Sequence, residues 1–93
     1  MIGLLTVHLR LEACSSLKQK RSRIRPLISR LQRQFNLSVA EMGLQDHWHE
    51  ALISCAMVGN EARHLRSALQ NVEKWIEANW PDGMILRQTI ELV

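Results

Sequence analysis

Tyrosine is absent from this 93-residue chain and phenylalanine occurs once. Sheets that read single-stranded RNA stack bases on exposed aromatic side chains, and with no aromatic at the middle outward positions of the first strand the sheet is a poor stacking platform. Two cysteines, Cys14 and Cys55, are too few for a disulfide scaffold. Two prolines and four glycines exclude collagen-like and low-complexity sequence. Apolar runs stop at four or five residues, far short of the roughly 20 needed to cross a bilayer. No basic stretch followed by an apolar one opens the chain, as a signal peptide would. The expectation is one domain over residues 1–93, cytoplasmic, with reduced thiols. Sequence signatures of catalysis are missing too: no Gly-rich phosphate loop, no G-x-S-x-G, no H-E-x-x-H, no C-x-x-C. Neither a nucleophile nor an acid–base pair can be assigned, so we expect no enzymatic activity, no cofactor and no metal.

What is present is charge, unevenly placed. The formal net charge is +3. Residues 1–40 carry Arg10, Lys18, Lys20, Arg21, Arg23, Arg25, Arg30 and Arg33 against one acid, Glu12. The rest of the chain carries Arg63, Arg66, Lys74 and Arg87 against eight acids. A small domain with one strongly basic element suits a polyanion partner; a solvated helix face is the plainer reading.

The chain alternates between the two regular periods. Residues 2–12 repeat at period two and predict a strand with one buried face. Ser15-Ser16 offers a helix cap. Residues 17–35 follow with Leu17, Ile24, Leu27, Ile28, Leu31 and Phe35 in one apolar stripe. Pro26 lies inside that stretch, lacks a donor and crowds the carbonyl of Ser22, which predicts a kink near 22–25 or a looser first turn before a regular helix from Arg25. Residues 36–42 predict a second strand, Gly43 to Asp46 a turn, and 48–58 a third strand. Asn60 is placed to cap a second helix carrying Leu65, Ala68, Leu69, Val72, Trp75 and Ile76, which stops before Pro81. Residues 84–93 predict a last strand with Met84, Leu86, Ile90 and Leu92 on one face.

The order β-α-β-β-α-β is that of the α+β ferredoxin-like sandwich. Right-handed crossovers then give an antiparallel four-stranded sheet ordered 4-1-3-2 with both helices on one face. The other face is left open. The third strand is apolar on both sides: Ile53, Cys55 and Met57 against Trp48, Leu52, Ala56 and Val58. Either orientation puts apolar side chains on the open face, which predicts a homodimer or a docked partner. Long side chains such as Arg10 and Arg87 offer a blander cover for that patch.

Seven Lys or Arg and no acid fall within residues 18–33. At about 100° per residue, Lys18, Arg21 and Arg25 share one flank of the apolar stripe, Arg23 and Arg30 the other, and Arg33 points outward. Such a ridge fits a phosphate backbone better than one small anion. Asp46-His47-Trp48-His49-Glu50 holds an H-x-H pair, which lacks the third and fourth ligands a metal needs. His8 and His64 have no partner visible in the sequence. Cys14 precedes a helix start among basic residues, where no nearby base or orienting group can be assigned, and a buried small residue is the simpler reading. Trp48, Trp75 and Trp80 read as core or interface anchors.

Three stretches, Ser16-Leu17-Lys18-Gln19-Lys20-Arg21, Phe35-Asn36-Leu37-Ser38-Val39-Ala40-Glu41 and Gln45-Asp46-His47-Trp48, resemble the bacterial YlxP-like family, a domain family of unknown function. The resemblance runs over nearly the whole chain and implies the same ferredoxin-like sandwich. Genes of that family lie among translation and ribosome-maturation genes, which implies a role near RNA; it implies no catalytic residue. The motif positions carried over are Ser16, Leu17, Lys18, Lys20, Arg21, Glu41, Asp46 and Trp48. Two departures stand out: His49 where the family usually has glutamine, and Pro26 where many members have a polar helix residue. The resulting expectation is an RNA- or ribosome-associated accessory factor, with a structured RNA or ribosomal particle as partner. Lys18, Lys20, Arg21, Arg25, Arg30 and Arg33 would contact phosphates, while Glu41, Asp46 and Trp48 organise the neighbouring hairpin or a partner contact. The alternative is a dimeric protein-interaction module working through the open sheet face.

Overall fold

The structure, a computed structural model, describes residues 1–93. The alternating opening stretch forms β1 (Ile2–Leu11), and the first helical stretch forms α1 (Leu17–Gln34). β2 (Ser38–Gly43), β3 (Glu50–Val58), α2 (Ala62–Asn79) and β4 (Gly83–Leu92) complete the chain. All strand pairs are antiparallel and the sheet is ordered β2-β3-β1-β4, the predicted 4-1-3-2 read from its other edge.

The core lies between one sheet face and the helices. Leu5, Val7, Leu9 and Leu11 of β1 meet Ala51, Ile53 and Cys55 of β3, all buried. Ile24, Leu27 and Leu31 of α1 and Leu69, Val72 and Ile76 of α2 close over them in the same cluster. This settles the orientation of β3: Ile53 and Cys55 turn to the helices, and Leu52, Ser54, Ala56 and Val58 turn to the open face.

Ser16 caps α1, its side chain accepting from the Gln19 N–H at 3.1 Å, while Gln19 Oε1 accepts from the Ser15 N–H at 2.8 Å. This is a capping box displaced by one residue. α1 runs unbroken through Pro26, from Leu17 to Gln34, without a looser first turn before Arg25. Pro26 and Ser22 are both exposed, so the carbonyl left without a donor faces water, while buried Ile24 and Leu27 hold both sides of the proline to the core. Asn60 does not cap α2; Glu61 occupies that position and makes no side-chain cap bond.

Two strands start later than predicted, β2 at Ser38 and β3 at Glu50, which moves Trp48 out of the sheet into the connecting loop. The positive φ of that loop falls on Leu44 (61°) rather than on Gly43. In β4 the expected face of Met84, Leu86, Ile90 and Leu92 is split by a register shift. His8 pairs Arg87 and Leu9 pairs Ile85, so Leu86 is the extra residue of a bulge. Ile85 therefore packs against the core together with Ile90, and Met84 and Leu86 are exposed.

Candidate functional site

The basic side chains of α1 divide into four groups with different duties. On the flank away from α2, Lys18, Arg21 and Arg25 are exposed and line a concavity of about 400 Å³ with Ser22 and Pro26. No acidic residue occurs anywhere in α1, so no carboxylate from this helix neutralises them. Further along, Arg30 and Arg33 line a second concavity with Gln34, Trp75 and Asn79. Arg30 is partly committed there: its guanidinium lies 4.9 Å from the centroid of the Trp75 ring and donates to the Asn79 carbonyl at 3.1 Å. Phe35 meets the same indole edge-on at 6.1 Å. Arg23 donates to the carbonyls of Glu12 and Ala13 and closes the β1–α1 connection.

Lys20 forms the fourth group, and here the sequence reading is corrected. Lys20 is only 2% exposed and cannot reach a phosphate. It falls on the buried stripe with Ile24, Leu27 and Leu31. Its Nζ lies 2.9 Å from Glu41 Oε2 and donates to the Leu44 carbonyl at 2.6 Å. Glu41 stands opposite Ile53 of β3, at an inward position of β2, which brings its carboxylate under the helix. A buried ammonium needs both a counter-charge and hydrogen-bond acceptors, and β2 and its following loop supply them.

That loop is pinned at both ends. The Leu44 carbonyl also accepts the His47 N–H at 3.0 Å, and the His49 carbonyl accepts the Leu11 N–H at 2.8 Å. Between these anchors Asp46, His47, Trp48 and His49 are exposed, Trp48 by 47%. Asp46 and Trp48 thus stand on a loop tied at both ends and joined to α1 through Lys20, while Glu41 lies beneath the helix. The H-x-H pair is not on a strand, and no three His, Cys, Asp or Glu side chains converge to hold a metal. His8, for which the sequence offered no partner, binds Glu50 Oε1 through Nε2 at 2.9 Å on the open face. Cys14 is buried, its Sγ directed at the Ser16 carbonyl at 3.5 Å. Burial pushes the Cys55 thiol up to about 11.

The open face carries a shallow depression of about 260 Å³ lined by Leu4, Ala40, Met42 and Ala56 with Ser38 and Ser54. Met42, at 61% exposure, is its most prominent side chain. No helix is long and apolar enough to cross a membrane.

Comparison with known proteins agrees with this architecture. The solution NMR structure of a de novo designed protein with ferredoxin fold superposes with a TM-score of 0.60, covering 100% of this chain and 87% of the designed one. Its sequence identity is 14%, so the likeness concerns the fold alone. The uncharacterized protein YlxP of Bacillus subtilis (strain 168) is 31% identical over 78 residues, 84% of this chain and 85% of that protein. Residues 2–89 match the family described as Protein of unknown function (DUF503). With nearly the whole fold inside that match, from β1 through most of β4, the chain belongs to the DUF503 family, for which no function is known.

Proposed function

We propose that this protein is an RNA-associated accessory factor that grips a phosphate backbone with the outer flank of α1. The observation that carries the reading is the exposed, acid-free group Lys18, Arg21 and Arg25 on one flank. Three cations along two turns present a row rather than a pocket, and a row of charges follows a backbone of phosphates. Lys20 is withdrawn from the contact set by its burial, Arg30 is held by α2, and Arg33 lies with Arg30 in the other concavity, so the row engages about three phosphates. Lys20 serves the site indirectly, by fixing the loop of Asp46 and Trp48 against the helix that carries the row.

The test is fluorescence anisotropy of a labelled structured ribosomal RNA fragment, titrated across salt. Three phosphates on a duplex predict a log–log slope of about −3. The triple reversal Lys18→Glu, Arg21→Glu and Arg25→Glu should remove both the binding and the slope. No binding at low salt would overturn the reading. A second reading is favoured by the exposed apolar depression around Met42: a protein-interaction module on the open sheet face. Its binding would be insensitive to salt and lost in Met42→Glu.

A further inference from the structure

The two edges of the sheet are unlike. β2 is short, its register is broken between Glu41 and Gly43, and it turns the charged Glu41 inward. These are devices that stop an edge from pairing with another chain. β4 is 10 residues long, forms the opposite edge, and contains neither lysine nor proline. Its one irregularity is the bulge at Leu86, near its beginning. From Arg87 to Leu92 the strand is regular and its outer side is unpaired.

The hydrogen-bond phase of that outer side can be read from the inner one. Ile2 and Val93 exchange both backbone bonds, at 2.9 and 2.8 Å. Antiparallel pairs alternate, so Glu91, Thr89 and Arg87, paired with Leu4, Thr6 and His8, also direct their N–H and C=O groups to β1. The outward groups therefore belong to Gln88, Ile90 and Leu92. The same register puts Arg87, Thr89 and Glu91 on the open face and Ile90 on the core side.

We infer that β4 pairs with β4 of a second copy of this chain, antiparallel about a two-fold axis at Thr89, to make one continuous eight-stranded sheet. A two-fold on an antiparallel pair sets residues opposite one another symmetrically about its centre. Centring it on Thr89 places Arg87 opposite Glu91 of the second copy, and Glu91 opposite its Arg87. Centring it on Arg87 or on Glu91 sets like charges face to face. Centring it on Gln88 or Ile90 leaves both charges opposite uncharged residues. The Thr89-centred register thus makes two opposite-charge pairs. It also makes Gln88 and Ile90 of the two copies the hydrogen-bonded pairs, as the outward groups require. Arg87 and Glu91 then fall on non-hydrogen-bonded pairs, where cross-strand side chains approach more closely. This contact is separate from the α1 flank and from the depression around Met42, so it stands whether or not either of those readings does.

Sedimentation equilibrium from micromolar to near-millimolar concentration with three variants, and oxidative cross-linking of a fourth, test it. The unmodified chain should dimerise reversibly. Arg87→Glu converts both opposite-charge pairs to like-charge pairs and should weaken the dimer about tenfold or more. Arg87→Glu combined with Glu91→Arg restores opposite charges and should restore the dimer. Gln88→Pro removes an outward N–H while leaving the bonds to β1, and should abolish the dimer with an unchanged circular dichroism spectrum. Thr89→Cys should cross-link to itself under mild oxidation, because Cys14 and Cys55 are buried. A monomer at every concentration would overturn the inference. So would a dimer indifferent to Arg87→Glu, or one that the double charge exchange fails to restore.

Discussion

At the residue scale the decisive side chain is Lys20. Truncating one member of a buried ion pair strands the other charge, at a cost on the order of 3–5 kcal/mol when both are deeply buried. Glu41 retains 22% exposure, so Lys20→Met should cost somewhat less, about 2–3 kcal/mol by urea unfolding. The double variant Lys20→Met/Glu41→Leu should be less damaging than the single lysine change, because no charge is left unpaired. Cys55 gives a second prediction with a definite sign. Its thiol is neutral in both states below pH 9; between 9 and about 11 the unfolded chain loses that proton and the folded one keeps it. Stability should therefore fall as pH rises through that window, by about 1.4 kcal/mol per unit, and Cys55→Ser or Cys55→Ala should flatten the slope. A charge count could not separate Lys20 from its neighbours. Its spacing could, since Lys20 shares the face of Ile24, Leu27 and Leu31, and Glu41 shares the inward parity of Val39.

At the scale of elements, β4 shows where periodicity stops being informative. The order of elements, their types and the sheet topology followed from period-two and period-3.6 patterns, because each element buries one face. The face of β4 did not, since one extra residue at Leu86 reverses the parity before it, and nothing in Met84-Ile85-Leu86 marks the bulge. Two substitutions check that assignment. Ile85→Ser should cost about 1–3 kcal/mol, as a side chain packed on the core, while Met84→Ser should stay within about 0.5 kcal/mol as an exposed one. Gly83 fixes the start of the strand. A Cβ there would stand 1.8 Å from the Arg10 carbonyl oxygen, a clash with backbone that no rotamer relieves. Gly83→Ala should therefore separate the first residues of β4 from β1, read as lost amide protection at Glu12, whose N–H the Asp82 carbonyl accepts at 2.9 Å, with the central strands intact. The start of β3 was misplaced for a related reason: Trp48 continues the apolar pattern, yet the Lys20 contact with Leu44 holds the chain in a loop up to His49.

At the scale of the whole molecule the question is whether a basic helix acts through its position or only through net charge. A chain of formal charge +3 attracts any polyanion weakly, wherever its cations lie. The exposed α2 residues Arg63, Arg66 and Lys74 provide the control. Reversing these three to glutamate changes the net charge by the same amount as reversing Lys18, Arg21 and Arg25. Long-range attraction falls equally in both triples, because it depends on total charge and is screened over about 8–10 Å. Direct phosphate contact falls only where the contacting side chains are lost. The α1 triple should therefore remove the salt slope of about −3, while the α2 triple weakens binding at low salt and keeps the slope. Equal loss in both would mean that the row on α1 has no privileged role and that attraction to RNA is a property of the net charge. Retention of binding in the α1 triple and loss in the α2 triple would move the contact to the opposite helix. Each outcome is read from the same anisotropy titration, so the location of the contact and its existence are decided together.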